Sequence, residues 1–210
     1  MNLYSYFRSS AAYRVRIALE VKGIEHMRRY VDLKAGEQGG AYREINPLGL
    51  VPTIEEGNFQ LGQSLAIIEY LEDCHPTPPL LPSDPKARAI VRSMSQVIAC
   101  DVHPLNNLRV LRYLKRRLGA DQEQINQWYA HWLIDGFSAL EELVSRHGTQ
   151  TNCFGSMVTL ADICLAPQMW NARSMEIDLS AFPRLVAIDE TLNSMPAFRN
   201  SAPEVQPDAM

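Results

Sequence analysis

Nowhere does this sequence hold an apolar run near the ~20 residues that a helix needs to span a bilayer, and its opening residues enter a strand pattern with no charged-then-apolar leader. Both absences predict a cytoplasmic protein without membrane contact. A basic excess is missing too: Lys and Arg number 20 against 24 Asp and Glu, for a formal charge of -4. That balance argues against a general binder of nucleic-acid phosphates. Cysteine is sparse, and Cys74, Cys100, Cys153 and Cys164 include no Cys-x-x-Cys pair and no metal-ligand spacing with histidine. Neither a disulfide framework nor a metal site is predicted. The four read as small core residues, with Cys74 and Cys153 the two that could reach the surface. Internal repeats and low-complexity blocks are also absent.

What is present suffices for one good core or two small ones: 210 residues, 46% hydrophobic and 21% charged. The organising stretch is Leu3 to Leu19. Leu3, Tyr4, Tyr6 and Phe7 suit a half-buried strand, and Val15, Ala18, Leu19 and Lys22 mark a helical face that stops at Gly23. Between them lies Arg8-Ser9-Ser10, with Ser9 or Ser10 as the helix cap. A helix start leaves N–H groups unpaired and carries partial positive charge, so a hydroxyl there can steady an anion, including a thiolate. No cysteine stands at this turn. A thiolate held there would have to come from a bound ligand.

Further along, His26 to Leu33 fits a second strand, completing a β-α-β unit, and Gly36 to Gly40 reads as a flexible loop. Ala41 to Ile45 fits one helical turn before the Asn46-Pro47-Leu48-Gly49 turn. Leu50 to Ile54 reads as a strand entered through Pro52, at an edge or bend where a cis Val51–Pro52 bond is an option. Glu56-Gly57-Asn58 then turns it into Phe59-Gln60-Leu61. Gln63-Ser64 opens an apolar helix, with Ser64 a second cap candidate. Five prolines between Cys74 and Pro85 exclude helix interior and central strand, which predicts a linker. Beyond it the pattern is all-helical. One long helix is predicted from Ser83-Asp84-Pro85 to Leu118, kinked at Pro104, with the basic run Arg109 to Arg117 at its solvated end. A second opens at Asp121 with Gln124 completing a capping box, its buried stripe formed by Trp128, Trp132, Ile134, Phe137, Leu140 and Leu143. Thr159 to Asp162 repeats the capping box, which makes Asp162 structural. A last helix starts at Phe182-Pro183, and the tail after Asn200 reads as loosely held.

Together these pieces resemble a cytosolic glutathione transferase over essentially the whole chain. Arg8-Ser9-Ser10 followed by Tyr13 to Leu19, with Gln63 to Leu71, is similar to the zeta class, whose members include maleylacetoacetate and maleylpyruvate isomerases. Cys100 to Asn107 looks most like the bacterial isomerases. The resemblance implies an α/β plus all-α architecture: a thioredoxin-like, glutathione-binding domain at 1–75, a linker at 76–85 and an all-helical, substrate-binding domain at 86–210. It also implies a homodimer. Glutathione is the implied cofactor, held by Ser9 and Ser10 near its thiol, Val51 along its backbone, Gln63 and Ser64 at its γ-glutamyl end, and Gln38 at its glycyl end, with Glu37 an alternative alignment there. His103, Asn107 and Arg109 match the wall supplied by the helical domain. Ala11 departs from the family's frequent Ser-Ser-Cys turn, which removes a protein thiol and leaves the thiol of glutathione.

The activity so implied is cis-trans isomerisation of a maleyl keto diacid to its fumaryl isomer, with Ser9, Ser10 and Arg8 as the catalytic group and Arg8, Arg109 and Arg173 binding the substrate's carboxylates. Plainer readings stand beside these: Ser9 as a cap alone, Arg109 as part of a solvated basic face, His103 as an interior histidine. Two other functions remain open. One is conjugation of glutathione or dehalogenation of small α-halo acids; the other is an inactive interaction protein of the same fold.

Overall fold

The computed structural model of the chain describes residues 1–209, and these divide into two compact units: Met1–Leu80 with the C-terminal residues from Asn193 onward, and Leu81–Leu192.

In the first unit, strand β1 (Asn2–Ser5) feeds helix α1 (Ser10–Lys22), which returns to β2 (Met27–Tyr30). Gly23 ends α1 in the left-handed conformation, at φ 63°, so that its N–H reaches Glu20 O while Ile24 N–H reaches Leu19 O. A short helix α2 (Tyr42–Ile45) precedes the hairpin of β3 (Thr53–Glu56) and β4 (Phe59–Gly62), and helix α3 (Ser64–Cys74) follows. The sheet order is β2-β1-β3-β4, with β1 parallel to β2 and antiparallel to β3. This is the thioredoxin-like arrangement. Leu3 and Ile54 from the sheet join Val15, Leu19, Ile67 and Leu71 from the helices in its core.

The loop, the linker and the tail each hold more structure than their residue pattern predicts. The loop at 36–40 contains a 3-10 turn, Glu37–Gly39. The proline-rich stretch, in which the division between the units falls, is tied down along its length: Leu80 and Leu81 are buried, and Lys22 Nζ donates to the His75 and Pro78 carbonyls while pairing with Glu72 at 2.7 Å. The tail is not loose. Helix α9 (Pro196–Ser201) and two 3-10 turns, Pro203–Val205 and Pro207–Ala209, pack with the first unit rather than with the helical one, burying Phe198, Ser201 and Gln206.

The second unit holds helices α4 (Pro85–Gln96), α5 (Leu108–Arg117), α6 (Gln122–His147), α7 (Leu160–Ser174) and α8 (Pro183–Ser194). The predicted long helix is interrupted rather than kinked. After α4 it widens to a π-helical turn, Val97–Val102, stops at His103-Pro104, and restarts as α5 under a new cap, Asn107. Pro104 lacks the N–H that would continue the ladder and crowds the preceding turn, which favours a break there. Helix α6 keeps its Asp121/Gln124 capping box, but its buried face is Ile125, Tyr129, Leu133, Gly136, Phe137, Leu140 and Val144. Ile134 is exposed. Close approach sets that register: a Cβ at Gly136 would lie 2.1 Å from Val102 Cγ2, so the π-turn rests on the glycine. Cys153 and Cys164 are buried, whereas Cys74 and Cys100 are exposed.

Candidate functional site

The turn from β1 into α1 is built from residues that favour it. Of the two serines open as caps, Ser9 takes the role, with extended backbone (φ -73°, ψ 110°) and its Oγ accepting from Ala12 N–H at 3.2 Å. A hydroxyl that accepts one bond still has a proton to donate. No acidic residue lies in the first turn of α1, so no carboxylate of the helix itself answers the partial positive charge of its end. Ser10 is the first helical residue and is buried, while Arg8 is exposed on the turn. Tyr6 and Tyr4 stand nearby on β1 and the turn, and burial, foremost, pushes both phenols above their ordinary range. Both therefore keep their protons at neutral pH, and the Tyr4 hydroxyl spends its own on Glu55 Oε2 at 3.0 Å.

Two further segments of the first unit present open polar groups. The Val51–Pro52 bond is cis, and because both ladders of β3 begin at Thr53, the Val51 peptide lies outside them. At the start of α3, Gln63 rather than Ser64 occupies the cap, with φ 69°. A non-glycine residue held in the left-handed region is strained, a condition that concentrates at functional sites. Ser64 is the first helical residue. Its buried Oγ accepts from Arg14 Nη1 at 3.3 Å, which fixes the oxygen and leaves its proton free to donate. In the loop, Glu37 is committed to Asp32 N–H at 2.6 Å, whereas the Gln38 carboxamide has one long bond, Nε2 to Leu33 O at 3.4 Å, and its buried Oε1 has no partner among the described residues.

In the second unit, His103, Asn107 and Arg109 gather at the break between the π-turn and α5. His103 N–H donates to Ile98 O at 2.9 Å, and Asn107 Oδ1 accepts from Arg109 N–H at 3.1 Å, which is a capping bond. The Arg109 side chain is exposed. Arg173, on α7, is ion-paired through Nη1 with the buried Asp189 of α8. That pairing gives it a structural partner that the sequence did not announce.

Reading the sequence also missed Arg14 and Arg16, which are each only 1% exposed inside α1. The signal was available: two arginines interleaved with Val15, Ile17 and Ala18 on a helix that leaves them no polar face. Among the described residues no cluster of three metal-ligating side chains occurs, and no helix is long and apolar enough to cross a membrane.

Comparison with known proteins adds to this geometry. Residues 3–79 match the family described as Glutathione S-transferase, N-terminal domain. A probable maleylacetoacetate isomerase of Vibrio cholerae is 46% identical, over 99% of this chain and 97% of that protein. Among solved structures, a holo maleylpyruvate isomerase, described as a bacterial glutathione S-transferase of the zeta class, is 41% identical with TM-score 0.97 over 100% of both chains. A maleylacetoacetate isomerase of Methylobacterium extorquens, solved with malonate and glutathione bound, is 39% identical with TM-score 0.96, again over 100% of both.

Proposed function

The chain belongs to the glutathione S-transferase family, to its zeta class of maleylacetoacetate and maleylpyruvate isomerases, and from that premise we propose that it is a glutathione-dependent cis-trans isomerase of maleyl keto diacids. The observation that carries the reading is the Ser9 hydroxyl, which caps α1 and keeps its proton at a helix end with no acidic residue in its first turn. A hydrogen bond from that hydroxyl, together with the helix end, favours a thiolate over a thiol whose ordinary pKa is near ~8.5.

The residues present fit glutathione. Ser64, steadied by Arg14, suits the γ-glutamyl carboxylate, with Gln63 beside it. The Val51 peptide, outside both ladders, suits the backbone of the cysteinyl residue. Gln38, loosely held, can turn its N–H groups to the glycyl carboxylate. Ser10 shares the helix start with Ser9. His103 and Asn107 belong to the proposed site by their match to the family's residues at these positions. When bound, glutathione supplies the thiolate that adds to the cis double bond, allows rotation about the resulting single bond and leaves again. The chain's own task is to hold charge. Arg8 and Arg109, both exposed, offer planar guanidinium groups for the substrate's carboxylates and for the negative charge that develops at its keto oxygen. Arg173 keeps donors beyond the one given to Asp189 and is the third candidate. The malonate held by the Methylobacterium extorquens relative is a small dicarboxylate, which supports a diacid as substrate here. A homodimer acting in the cytoplasm completes the proposal, and sedimentation of the purified protein tests the assembly.

The deciding experiment follows loss of maleylpyruvate and maleylacetoacetate absorbance with and without glutathione, in wild type and Ser9→Ala. Glutathione-dependent isomerisation that falls about a hundredfold in the variant is expected, as for loss of one donor to developing negative charge. Glutathione binding without isomerisation would move the assignment to conjugation or dehalogenation, and failure to bind glutathione would move it to an interaction protein.

A further inference from the structure

The turn that delivers Ser9 is held from outside itself. The Phe7 N–H donates to Asp208 Oδ2 at 2.8 Å. The Phe7 carbonyl accepts from Arg16 Nη2 at 3.1 Å, and the Tyr6 carbonyl accepts from Ser9 N–H at 3.0 Å and from Arg16 Nη1 at 3.4 Å. Arg16 in turn passes its Nε–H to the Ser201 carbonyl at 3.0 Å.

Asp208 and Ser201 lie in the C-terminal segment, which belongs to the same compact unit. That segment is closed on itself, because Gln206 Nε2 donates to the carbonyls of Asn200 and Ala202 while its Oε1 accepts from Arg28 Nη1 at 2.7 Å. It is also fastened to α1, where the Tyr13 hydroxyl donates to the Phe198 carbonyl at 3.2 Å. Asp208 therefore reaches Phe7 from a braced support.

Energetics favour a role beyond packing. Burial lowers the Arg16 pKa to about 10, so the guanidinium is still charged at neutral pH. Its donors go to three backbone carbonyls and the Ser5 hydroxyl. A buried charge so arranged costs desolvation that an apolar side chain of similar volume would avoid. What the arginine gives in return is a defined placement of the two carbonyls before Ser9.

We infer that the C-terminal segment, through Asp208 and with Arg16 behind the turn, is a positioning element for the Ser9 hydroxyl. Asp208 sets the Phe7 peptide, Arg16 sets the Phe7 and Tyr6 carbonyls, and the Tyr6 carbonyl sets the Ser9 N–H. The inference rests on the proposed role of Ser9 toward glutathione. Asp208 acts through peptide geometry, since its own negative charge opposes a thiolate. Asparagine keeps the oxygen acceptor without the charge, so the two substitutions Asp208→Ala and Asp208→Asn separate geometry from charge.

The test uses the full chain in three forms: wild type, Asp208→Ala and Asp208→Asn. The pKa of enzyme-bound glutathione is read from its ultraviolet thiolate absorbance, and amide hydrogen exchange is followed across residues 5–12 in the ligand-free protein. In Asp208→Ala the bound thiol should titrate about one pH unit higher, with kcat/KM at neutral pH down about tenfold. Asp208→Asn should stay within about twofold of wild type. Exchange at Phe7 and Ser9 should quicken in the alanine variant alone. An unchanged thiol pKa and unchanged exchange in Asp208→Ala would overturn the inference even if thermal stability fell, as would equal losses in both variants. A wild-type enzyme that shows no lowered glutathione pKa would count against the role of Ser9 instead, with exchange in the ligand-free protein still judging the positioning.

Discussion

Two helix starts in this molecule, each opened by a hydroxyl residue, meet opposite fates. At α7 the Thr159 N–H and hydroxyl both donate to Asp162 Oδ2, at 2.7 and 2.8 Å, and the Cys153 N–H donates to Oδ1 at 2.7 Å. The carboxylate is buried, and desolvation pushes its pKa up against the pull of those bonds. At α1 the first turn has no carboxylate, and Ser9 accepts one bond while keeping its proton. A helix end closed from within has its donors satisfied and its charge answered. An open one can take up an anion. The contrast separates a structural start from a start open to an anion, although each begins with a hydroxyl residue.

Removing the closing carboxylate is the severest way to probe that contrast. Asp162→Ala leaves buried donors unpaired and should cost about 3 kcal/mol, seen in calorimetry as a fall of roughly 10 °C in thermal midpoint, with turnover per folded molecule unchanged. A variant as stable as wild type would show that α7 does not depend on this closure. The converse change closes the open end. Ala11→Asp puts a carboxylate in the first turn of α1, where Ala11 is half-buried, and should raise KM for glutathione about fivefold through about 1 kcal/mol of charge repulsion. Ala11→Asn should leave KM within about twofold, and equal KM values for the aspartate variant and wild type would break the comparison.

The smallest effect lies past the far end of the same helix. His26 Nδ1 contacts the Ile24 carbonyl at 3.1 Å, and burial, foremost, lowers its pKa from the ordinary 6.5. With the folded value below the unfolded one, its contribution to stability is present above about pH 6.5 and is lost as pH falls through the lower folded value. His26→Gln should therefore flatten the decline in thermal midpoint below that pH by about a degree or two. Parallel pH curves for variant and wild type would contradict this.

Where a signal was local, the sequence was legible. Gly23 ends α1, Asp84 with Pro85 opens α4, and Asp121 with Gln124 caps α6, each within a turn of where the residue pattern puts it. Of the proposed site the sequence made the positions legible: Ser9, Val51 and the Gln63-Ser64 pair all stand where the chain turns or enters an element. Where two answers differed only in what lay across the fold, the sequence misled. The aromatic residues of α6 suggested a stripe through Trp128, Trp132 and Ile134, but the neighbouring face through Leu133 and Gly136 is the one that accepts the π-turn. Pro104 announced a disturbance, and its size depended on Asn107 recapping the chain. Arg173 reads as a free cation until α8 brings Asp189 to it.

By itself, then, the sequence determined the passage from a mixed strand-and-helix half to a helical one, the caps that open α1, α4 and α6, and the lack of a carboxylate in the first turn of α1. Caps, prolines and glycines act over three or four residues, and their effect is the same whatever folds around them. Tertiary structure alone decided that Arg14 would hold Ser64, that Arg16 would serve carbonyls instead of solvent, and that Asp208 would meet Phe7 at the turn. Those bonds join residues far apart in the chain, and a polar group seeks such a partner only once packing has taken it out of water.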